Sequence, residues 1–187
     1  MATSYERPVL ELAELRRVLE AAHDPEEKAV ALLIYDLALR AGEVRGVLAE
    51  HLDLAACTVR LRRSKKGVIA TVGIAPETAR ALAPFVKSRG PIFPGWNERR
   101  VRYLVRKLVT RAGLPHGPAQ DGGKAFSHIL RRSRATHLFE SGQNVRAIQR
   151  RLGHKSPRTT MLYLGMTEEE KRQTDREASD IVGRIFE

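Results

Sequence analysis

The sequence has few of the features on which several large classes of protein depend. Its 187 residues include one cysteine, Cys57, which excludes an intramolecular disulfide framework and favours a reducing compartment. The longest apolar run, Ala29–Leu39, is about half the length of a membrane-spanning helix and is interrupted by Asp36. The start of the chain lacks the basic residues and the apolar stretch of a signal peptide. We therefore expect a cytoplasmic protein without a membrane-spanning segment.

Internal repeats and low-complexity segments are also missing, which argues against a basic RNA-packing protein with exposed tails. Hydrophobic residues make up 42% of the chain, an ordinary share for a globular protein. The length suits one domain that buries a core without disulfides or metals. We expect a single domain over residues 1–187, with a core at about 10–165 and a C-terminal helical tail at about 166–187.

Positive charge is what the sequence has in excess. The formal net charge is +11, and arginine outnumbers lysine 25 to 8. Nucleic acid is the commonest partner of a domain this basic, and membrane surfaces or acidic proteins are the rivals. Arginine binds phosphate through two parallel hydrogen bonds, which favours nucleic acid. A GC-rich genome would give the same arginine excess, so the ratio alone is weak support.

The pattern of caps and apolar spacing predicts a mostly helical protein. Asp24-Pro25-Glu26-Glu27 has a capping residue, a proline at the first helical position and acids in the first turn. The helix that begins there is apolar nearly all round, so we expect it to run to about Leu39 through the centre of the domain. Further helices are predicted at Leu10–Ala22, Ala41–Leu48, Pro76–Lys87, Asn97–Ala112, Ser127–Glu140, Asn144–Leu152, Pro157–Leu164 and Glu168–Phe186.

One small sheet is predicted in addition. Cys57–Arg63 and Val68–Ile74 are strand-like and are joined by the turn Ser64-Lys65-Lys66-Gly67. Leu114–Lys124 is rich in proline and glycine and is predicted to be a loop. The predicted fold class is therefore mostly α with a small antiparallel β-sheet (α+β).

The stretch from Phe126 to Gly165 holds seven arginines, three histidines and a single tyrosine. Transfer of a phosphodiester to a side chain needs fixed cations for the non-bridging oxygens, a nucleophile and an acid for the departing oxygen. The acids of the sequence form no D-x-D pattern, and the histidines lack familiar metal-ligand spacing. The sequence thus favours a site without a metal or other cofactor.

Each residue of this stretch also has an ordinary structural explanation when it is taken alone. His128 and Arg131, at i and i+3, share a helix face, as random pairs in a basic helix do. His154 after Gly153 would serve as a capping or surface histidine. A lone helical tyrosine such as Tyr163 is usually part of a core. The spacing of the whole set is more specific than any one member.

Taken together, the residues resemble the tyrosine recombinase (phage integrase) family. That family has the pattern H-x-L-R-[HR], a helix that ends in L-G-H, and a tyrosine nine residues further on. The corresponding segments here are His128–Arg132, Gln149–Ser156 and Tyr163, with His154 23 positions after Arg131. The resemblance covers about residues 10–186 and implies the catalytic-domain fold of that family.

The resemblance extends to two upstream positions. The family has an arginine in a context like G-L-R-x-S-E-L, and Ala38–Val44 fits it, with alanine for the first glycine and Gly42 for serine. Arg40 is then the first catalytic arginine, and Glu43 is expected to orient it or to cap the short helix. Without the resemblance, Arg40 would be explained as a cation at a helix C-terminus.

The family also carries a lysine on a β-hairpin. Lys65 is favoured over the adjacent Lys66. The ordinary alternative is a solvated lysine in a turn.

The mechanism that the resemblance implies has six participants. Arg40 and Arg131 bracket the scissile phosphate, and His154 donates a further hydrogen bond to it. His128 takes the phenolic proton of Tyr163 or helps to hold the phosphate. The Tyr163 oxygen attacks to form a 3′-phosphotyrosyl link, and Lys65 protonates the departing 5′-oxygen. No ATP, metal or other cofactor is expected.

The expected partner is double-stranded DNA, with no membrane partner. Self-assembly on DNA, up to a tetramer, is expected through the C-terminal helix. The alternative is that this helix packs on the core of its own chain. The residues expected to contact the DNA backbone are Lys66, Arg99, Arg100, Arg102, Arg106, Arg132, Arg134 and Lys155.

Many family members carry an N-terminal DNA-clamping domain, and we expect none in these 187 residues. The sequence fits either an excised catalytic domain or a single-domain member of prokaryotic, archaeal, viral or plasmid origin.

Two other functions are compatible with parts of the sequence. Asn144–Leu164 resembles a helix-turn-helix with Gly153 in the turn, which would suit a DNA-binding regulator without catalysis, as would a degraded recombinase. That alternative leaves Arg40, the hairpin lysine and the histidine spacing unexplained. A strand cutter like the type IB topoisomerases would use nearly the same chemistry without exchanging strands.

Overall fold

The computed structural model describes residues 9–62, 69–114, 128–154, 156, 160–161 and 164. Within these residues the elements are six α-helices, three short 3-10 helices and three strands. The α-helices are α1 Leu12–Glu20, α2 Pro25–Asp36, α3 Pro76–Leu82, α4 Glu98–Arg111, α5 Ile129–Glu140 and α6 Val145–Leu152. The strands are β1 Leu52–Asp53, β2 Thr58–Arg62 and β3 Ile69–Gly73, and the 3-10 helices are Ala41–Gly46, Ala49–His51 and Ala83–Phe85.

The sheet is antiparallel with the order β1-β2-β3. The pairing of Thr58 with Gly73 and of Arg62 with Ile69 confirms the predicted hairpin strands. Strand β1 was not predicted, because two residues are too few for an alternating pattern to be recognised. Together with the helices, this sheet confirms the predicted fold class.

Helix α2 is the buried centre of the fold, as its apolar composition predicted. Asp24 caps it, since its side chain accepts a hydrogen bond from the Glu26 N–H at 2.8 Å. The helix packs against α1, α3, α4 and α5. Leu33 and Ile34 on it are at most 1% exposed. A leucine truncated at such a site costs about 2–5 kcal/mol of folding free energy.

Several predicted boundaries were wrong in an informative way. Helix α2 was expected to reach Leu39 but ends at Asp36, because Ala38 adopts a left-handed conformation with φ of 49°. The short helix predicted at Ala41–Leu48 is a 3-10 helix that ends at Gly46. The helix that begins at Pro76 was expected to reach Lys87 but is α-helical only to Leu82, before a 3-10 turn.

The remaining predicted elements lie wholly or mostly outside the described residues. They are the loop after Leu114, the helix Pro157–Leu164, of which only Thr160, Met161 and Leu164 are described, and the helix Glu168–Phe186. None of the helices within the described ranges is both long and apolar enough to cross a membrane.

The first described segment is fastened to α5. The Leu10 N–H donates to Ser133 Oγ at 2.8 Å, and the Leu10 carbonyl lies 2.9 Å from His137 Nε2. A carbonyl can only accept, so Nε2 carries the proton and Nδ1 accepts from the Tyr35 hydroxyl at 2.8 Å. Residues from two other parts of the chain, Leu10 and Tyr35, thus fix the rotation of α5, and that rotation decides which of its side chains point inward.

Candidate active site

Arg131 on α5 is the centre of the candidate site. Its side chain is 1% exposed, which is rare for an arginine. Nη1 donates to the Ala38 carbonyl at 2.5 Å, and Nη2 donates to the Leu152 carbonyl at 2.6 Å. A carboxylate oxygen of Glu43 lies 3.8 Å from Nη1. The guanidinium is therefore held in one orientation by backbone from two other segments, and its charge is partly balanced by Glu43.

The Ala38 carbonyl points at Arg131 because of how α2 ends. The Ala38 N–H donates to the Tyr35 carbonyl and the Leu39 N–H donates to the Ile34 carbonyl, both at 3.0 Å. This is a Schellman ending, with Ala38 in its left-handed position. Glycine is usual there, and a residue with a Cβ costs about 1–2 kcal/mol in that conformation. The family pattern noted above has glycine at this position, so the structure gives the physical reason for that glycine.

His154 is placed against Arg131 by the end of α6. Gly153 takes a left-handed conformation with φ of 63°, and the chain reverses there. The His154 N–H donates to the Gln149 carbonyl at 3.1 Å, and Gln149 Nε2 donates to the His154 carbonyl at 3.1 Å. The ring then lies with Nε2 at 3.1 Å from Arg131 Nη2 and is 9% exposed. The structure therefore places the predicted site residues Arg131 and His154 next to each other.

The protonation state of His154 follows from its partners. Burial lowers the pKa of His154 to about 4, and the charges of Arg131 and Arg40 act in the same direction. The imidazole is therefore neutral at pH 7. Because an arginine can only donate, Nε2 is the acceptor and the proton lies on Nδ1, which donates to Thr160 Oγ1 at 3.0 Å.

Arg40 lies at the start of the 3-10 helix Ala41–Gly46, and its side chain is 40% exposed. The Glu43 carboxylate accepts hydrogen bonds from both the Arg40 N–H and the Arg40 Nη1, each at 2.8 Å. Glu43 therefore orients Arg40 and caps the helix, which are the two roles expected of it. Since the same carboxylate faces Arg131, Glu43 lies between the two arginines.

His128 is the residue that precedes α5, and it is half-buried. Burial lowers the pKa of His128, and the charges of Arg131, Arg132 and Arg40 lower it further. His128 therefore lies in the same positive field as the two arginines and is neutral at pH 7. A neutral imidazole can accept a proton or donate a hydrogen bond.

Four of the predicted site residues lie outside the described residues. They are Lys65, Lys66, Lys155 and Tyr163. The first two belong to the connection between β2 and β3, and their roles remain predictions. Within the described part of the chain, no group of three or more His, Cys, Asp or Glu side chains is arranged to hold a metal ion.

The structure divides the arginines expected to contact the DNA backbone into two groups. Arg132 is 3% exposed, which contradicts its predicted role as a surface contact. Arg134 is 24% exposed, and its guanidinium forms an ion pair with Asp36 at 3.2 Å, so its contact with DNA stays a prediction. Helix α5 is buried around much of its circumference, which a sequence full of arginine does not reveal.

The other group is exposed and lies on α4. Arg99, Arg100, Arg102 and Arg106 are all at the surface, as predicted. Arg100 stacks over the Trp96 ring at 4.1 Å, and Arg102 pairs with Glu98 one turn away. An open groove of about 620 Å³ on this helix is lined by Glu98, Arg99, Arg102, Tyr103 and Arg106. This face offers several mobile cations at positions that a phosphate could reach.

Asp36 is the residue of the site region that the sequence analysis missed. It was noted only as an interruption of an apolar run, yet it is buried and receives hydrogen bonds from Arg134, Arg151 and the Ala75 N–H. The available signal was an acid in a helix that is apolar all round, since a buried carboxylate requires partners.

A known protein family and several individual proteins are similar to this chain in sequence. The model of the phage integrase family matches residues 8–170. Tyrosine recombinase XerA of Saccharolobus solfataricus is 31% identical over 157 residues, which cover 82% of this chain and 50% of the relative. Tyrosine recombinase XerC of Stutzerimonas stutzeri is 33% identical over 143 residues, covering 73% of this chain and 47% of the relative. The chain spans about half the length of these relatives.

Solved structures share the fold. The crystal structure of XerA recombinase superposes with a TM-score of 0.71 at 25% identity, over 91% of this chain and 65% of the other. The catalytic domain of bacteriophage HP1 integrase superposes with a TM-score of 0.66 at 18% identity, over 91% of this chain and 95% of that domain. Since the family model also matches most of the sequence, the chain belongs to the phage integrase family of tyrosine recombinases.

Proposed function

We propose that the chain catalyses site-specific DNA recombination or integration, cleaving and rejoining strands through a 3′-phosphotyrosyl intermediate. The observation that carries this proposal is the packing of Arg131 against His154. Glu43 contacts both Arg40 and Arg131, and the charge of Arg40 helps to lower the pKa of His154. A pentacoordinate phosphate carries extra negative charge on its non-bridging oxygens. Fixed cations stabilise such charge without reorganising during the reaction.

Arg131 and Arg40 differ in the part they play in this proposal. Arg131 is locked by two carbonyls and provides a cation whose position hardly varies. Arg40 is oriented by Glu43 but keeps 40% of its side chain exposed, so it can meet the DNA from the solvent side. Both bind the scissile phosphate, and removal of either costs on the order of 3 kcal/mol of transition-state stabilisation.

His154 must change its hydrogen bonding when the phosphate binds. Its Nε2 accepts from Arg131 in the structure, and the ring is neutral because its pKa is about 4. To donate to a phosphate oxygen, Nε2 has to carry a proton, either taken up as the imidazole becomes charged or gained by a tautomer shift in which the Thr160 hydroxyl donates to Nδ1. The negative charge of the phosphate offsets the arginines that lower the pKa, so DNA binding itself favours that proton uptake.

The remaining steps involve His128, Tyr163 and Lys65. His128, whose pKa is lowered, takes the phenolic proton of Tyr163 or helps to hold the phosphate. The Tyr163 oxygen forms the bond to phosphorus as the 5′-oxygen departs, and Lys65 rather than Lys66 gives that oxygen its proton. A 5′-hydroxyl of a partner strand reverses the reaction. The phosphotyrosyl link conserves the energy of the bond, so the proposed cycle uses neither ATP nor a metal.

Double-stranded DNA is the proposed substrate, and the exposed arginines of α4 contact its backbone together with Lys66 and Lys155. Such contacts fix the position of the DNA without reading its sequence. They also make binding fall with salt, with a logarithmic slope of about 0.9 for each phosphate neutralised. Assembly of up to four protomers on the DNA, through the segment after residue 165, completes the proposal.

Covalent capture tests this function directly. The full chain is incubated in EDTA with a library of nicked random-sequence duplexes, which trap the cleaved state, and is then denatured in SDS. We expect protein-linked DNA from the wild type and none from Tyr163→Phe. Sequencing of the trapped DNA gives the preferred site. Salt-sensitive binding to the library without any adduct would favour the binding-only alternative instead.

A further inference from the structure

Asp36, the last residue of α2, links its own helix to three other segments. Its Oδ1 accepts hydrogen bonds from Arg134 Nη2 of α5 at 3.2 Å and from Arg151 Nη2 of α6 at 3.4 Å. Its Oδ2 accepts from the Ala75 N–H, just past β3, at 2.6 Å. The side chain is 5% exposed, so water competes little for these oxygens.

Arg151 strengthens the same junction with contacts to backbone. Its Nη2 donates to the Asp36 carbonyl at 2.9 Å and to the Gly73 carbonyl, at the end of β3, at 3.2 Å. The end of α6 is therefore tied both to the end of α2 and to the end of the hairpin strand.

The neighbours of these two residues are the ones that hold Arg131. Ala38, whose carbonyl accepts from Nη1, follows Asp36 by two positions, and Leu152, whose carbonyl accepts from Nη2, follows Arg151 directly. The Asp36–Arg151 contact thus sets the separation of the two chain segments between which the Arg131 guanidinium lies. Arg134, three residues after Arg131 on α5, fastens that helix to the same carboxylate.

We propose that Asp36 is a positioning residue for Arg131, acting through Arg151 and Arg134. The proposal rests on the function proposed above, in which Arg131 binds the scissile phosphate. Loss of the Asp36 charge lets the ends of α2 and α6 shift, and the Ala38 and Leu152 carbonyls shift with them. A displacement of about 1 Å at a group that binds a reacting centre costs about 10²-fold in rate.

Simple loss of stability is the competing explanation, since removal of a buried carboxylate destabilises any fold. Glu27 provides a matched control on the same helix. Its carboxylate is 16% exposed and pairs with Lys107 of α4 at 2.5 Å. Glu27 lies about 14 Å along the helix axis from Asp36 and therefore near the opposite end of α2.

The first experiment compares Asp36→Asn with Glu27→Gln in the full chain. Adduct formation is measured as a single turnover on saturating nicked duplex library, at a temperature where circular dichroism shows every variant folded. We expect the adduct rate of Asp36→Asn to fall about tenfold or more while DNA affinity changes less than about threefold. Glu27→Gln should keep the wild-type rate. A wild-type rate in folded Asp36→Asn, or an equal loss in both variants, would overturn the proposal.

A second readout does not depend on catalysis. The side-chain nitrogen NMR signals of Arg131, assigned by their loss in Arg131→Lys, report whether its guanidinium stays locked between the two carbonyls. We expect these signals to move or merge in Asp36→Asn and to stay unchanged in Glu27→Gln. Unchanged signals in Asp36→Asn would reject the positioning role. If the wild type forms no adduct, the proposed function fails, while the NMR result still decides whether Asp36 positions Arg131.

Arg151→Lys provides a second variant in case Asp36→Asn does not fold. It keeps the positive charge but removes the guanidinium that reaches both Asp36 and Gly73. The same fall in adduct rate and the same change in the Arg131 signals are expected. A folded Arg151→Lys that matches the wild type in both measurements would contradict the proposal.

Discussion

Arginine serves two different purposes in this protein, and α5 and α4 show the contrast. On α5, Arg131 is 1% exposed and its guanidinium is fixed by the carbonyls of Ala38 and Leu152. On α4, Arg102 keeps 51% of its side chain exposed, and its partner Glu98 lies one turn away. A surface pair of that kind contributes little to stability and leaves the guanidinium free to exchange partners. The buried arginine is prepared in advance for one geometry, whereas the exposed ones can change their partners.

The largest expected effect comes from Arg131→Lys. Lysine keeps the charge but cannot span two carbonyls, and an unsatisfied buried carbonyl costs about 1–3 kcal/mol of folding free energy. Loss of one fixed donor at a charged transition state costs about 10²–10³-fold in rate. We therefore expect adduct formation to fall by at least about 10²-fold in the covalent capture assay.

Arg80→Lys is the control for that prediction. Arg80 on α3 is 73% exposed and pairs with Glu77, away from the proposed site. Its replacement should change neither the adduct rate nor the denaturation midpoint. If Arg131→Lys behaved like Arg80→Lys, the contrast between buried and exposed arginine would have no catalytic meaning.

The next largest expected effect is a loss of folding stability at acid pH. His154 has a pKa of about 4 when folded, below its value of about 6.5 in an unfolded chain. Between these values the unfolded state binds more protons, so stability is complete above about pH 6.5 and is lost as the pH falls toward 4. The free energy of unfolding should fall by about 2 kcal/mol between pH 7 and pH 5.

Urea titrations at the two pH values measure this loss. The lowered pKa of His128 adds to it in the same direction. His154→Asn should be less stable at pH 7 but should show a smaller change between the two pH values. An identical pH dependence in His154→Asn would show that other groups are responsible.

The residues named so far also show what a sequence can predict. Arg131 and His154 were predicted because the spacing of their motifs resembles the recombinase family, and Arg40 and Glu43 because Ala38–Val44 resembles another motif of that family. Asp36 was missed because its partners Arg134 and Arg151 lie 98 and 115 residues away. The burial of Arg132 and the early end of α2 were also missed, since both depend on tertiary packing rather than on local composition.

The contribution of the exposed arginines should be measurable in the salt dependence of DNA binding. Arg99→Gln and Arg106→Gln each remove one cation from the groove on α4. Each should lower the logarithmic salt slope of DNA binding by about 0.9 if its arginine neutralises one phosphate. The folding free energy should stay within about 0.5 kcal/mol of the wild type, since neither side chain supports the core. Fluorescence anisotropy on labelled duplex at several salt concentrations measures the slope.

Arg132→Gln applies the same measurement to a buried arginine. Because Arg132 is 3% exposed, its replacement should leave the salt slope almost unchanged and should instead lower the denaturation midpoint. A salt slope that falls as much as in Arg99→Gln would mean that burial does not sort the arginines by function.

The smallest expected effect is at Ala38, whose carbonyl holds the buried arginine. Its φ of 49° strains alanine, so Ala38→Gly relieves about 1 kcal/mol. The methyl group is fully buried, and its loss costs about 0.8 kcal/mol, to which the greater freedom of glycine in the unfolded chain adds. The terms nearly cancel, and we expect a net change below about 1 kcal/mol in urea titration and an unchanged adduct rate.

Ala38→Val keeps the apolar contact but puts a β-branched residue in a left-handed conformation, so it should lower both stability and adduct rate. If Ala38→Val were tolerated as well as glycine, Arg131 would not depend on this turn, and its orientation would have to come from Leu152 and His154.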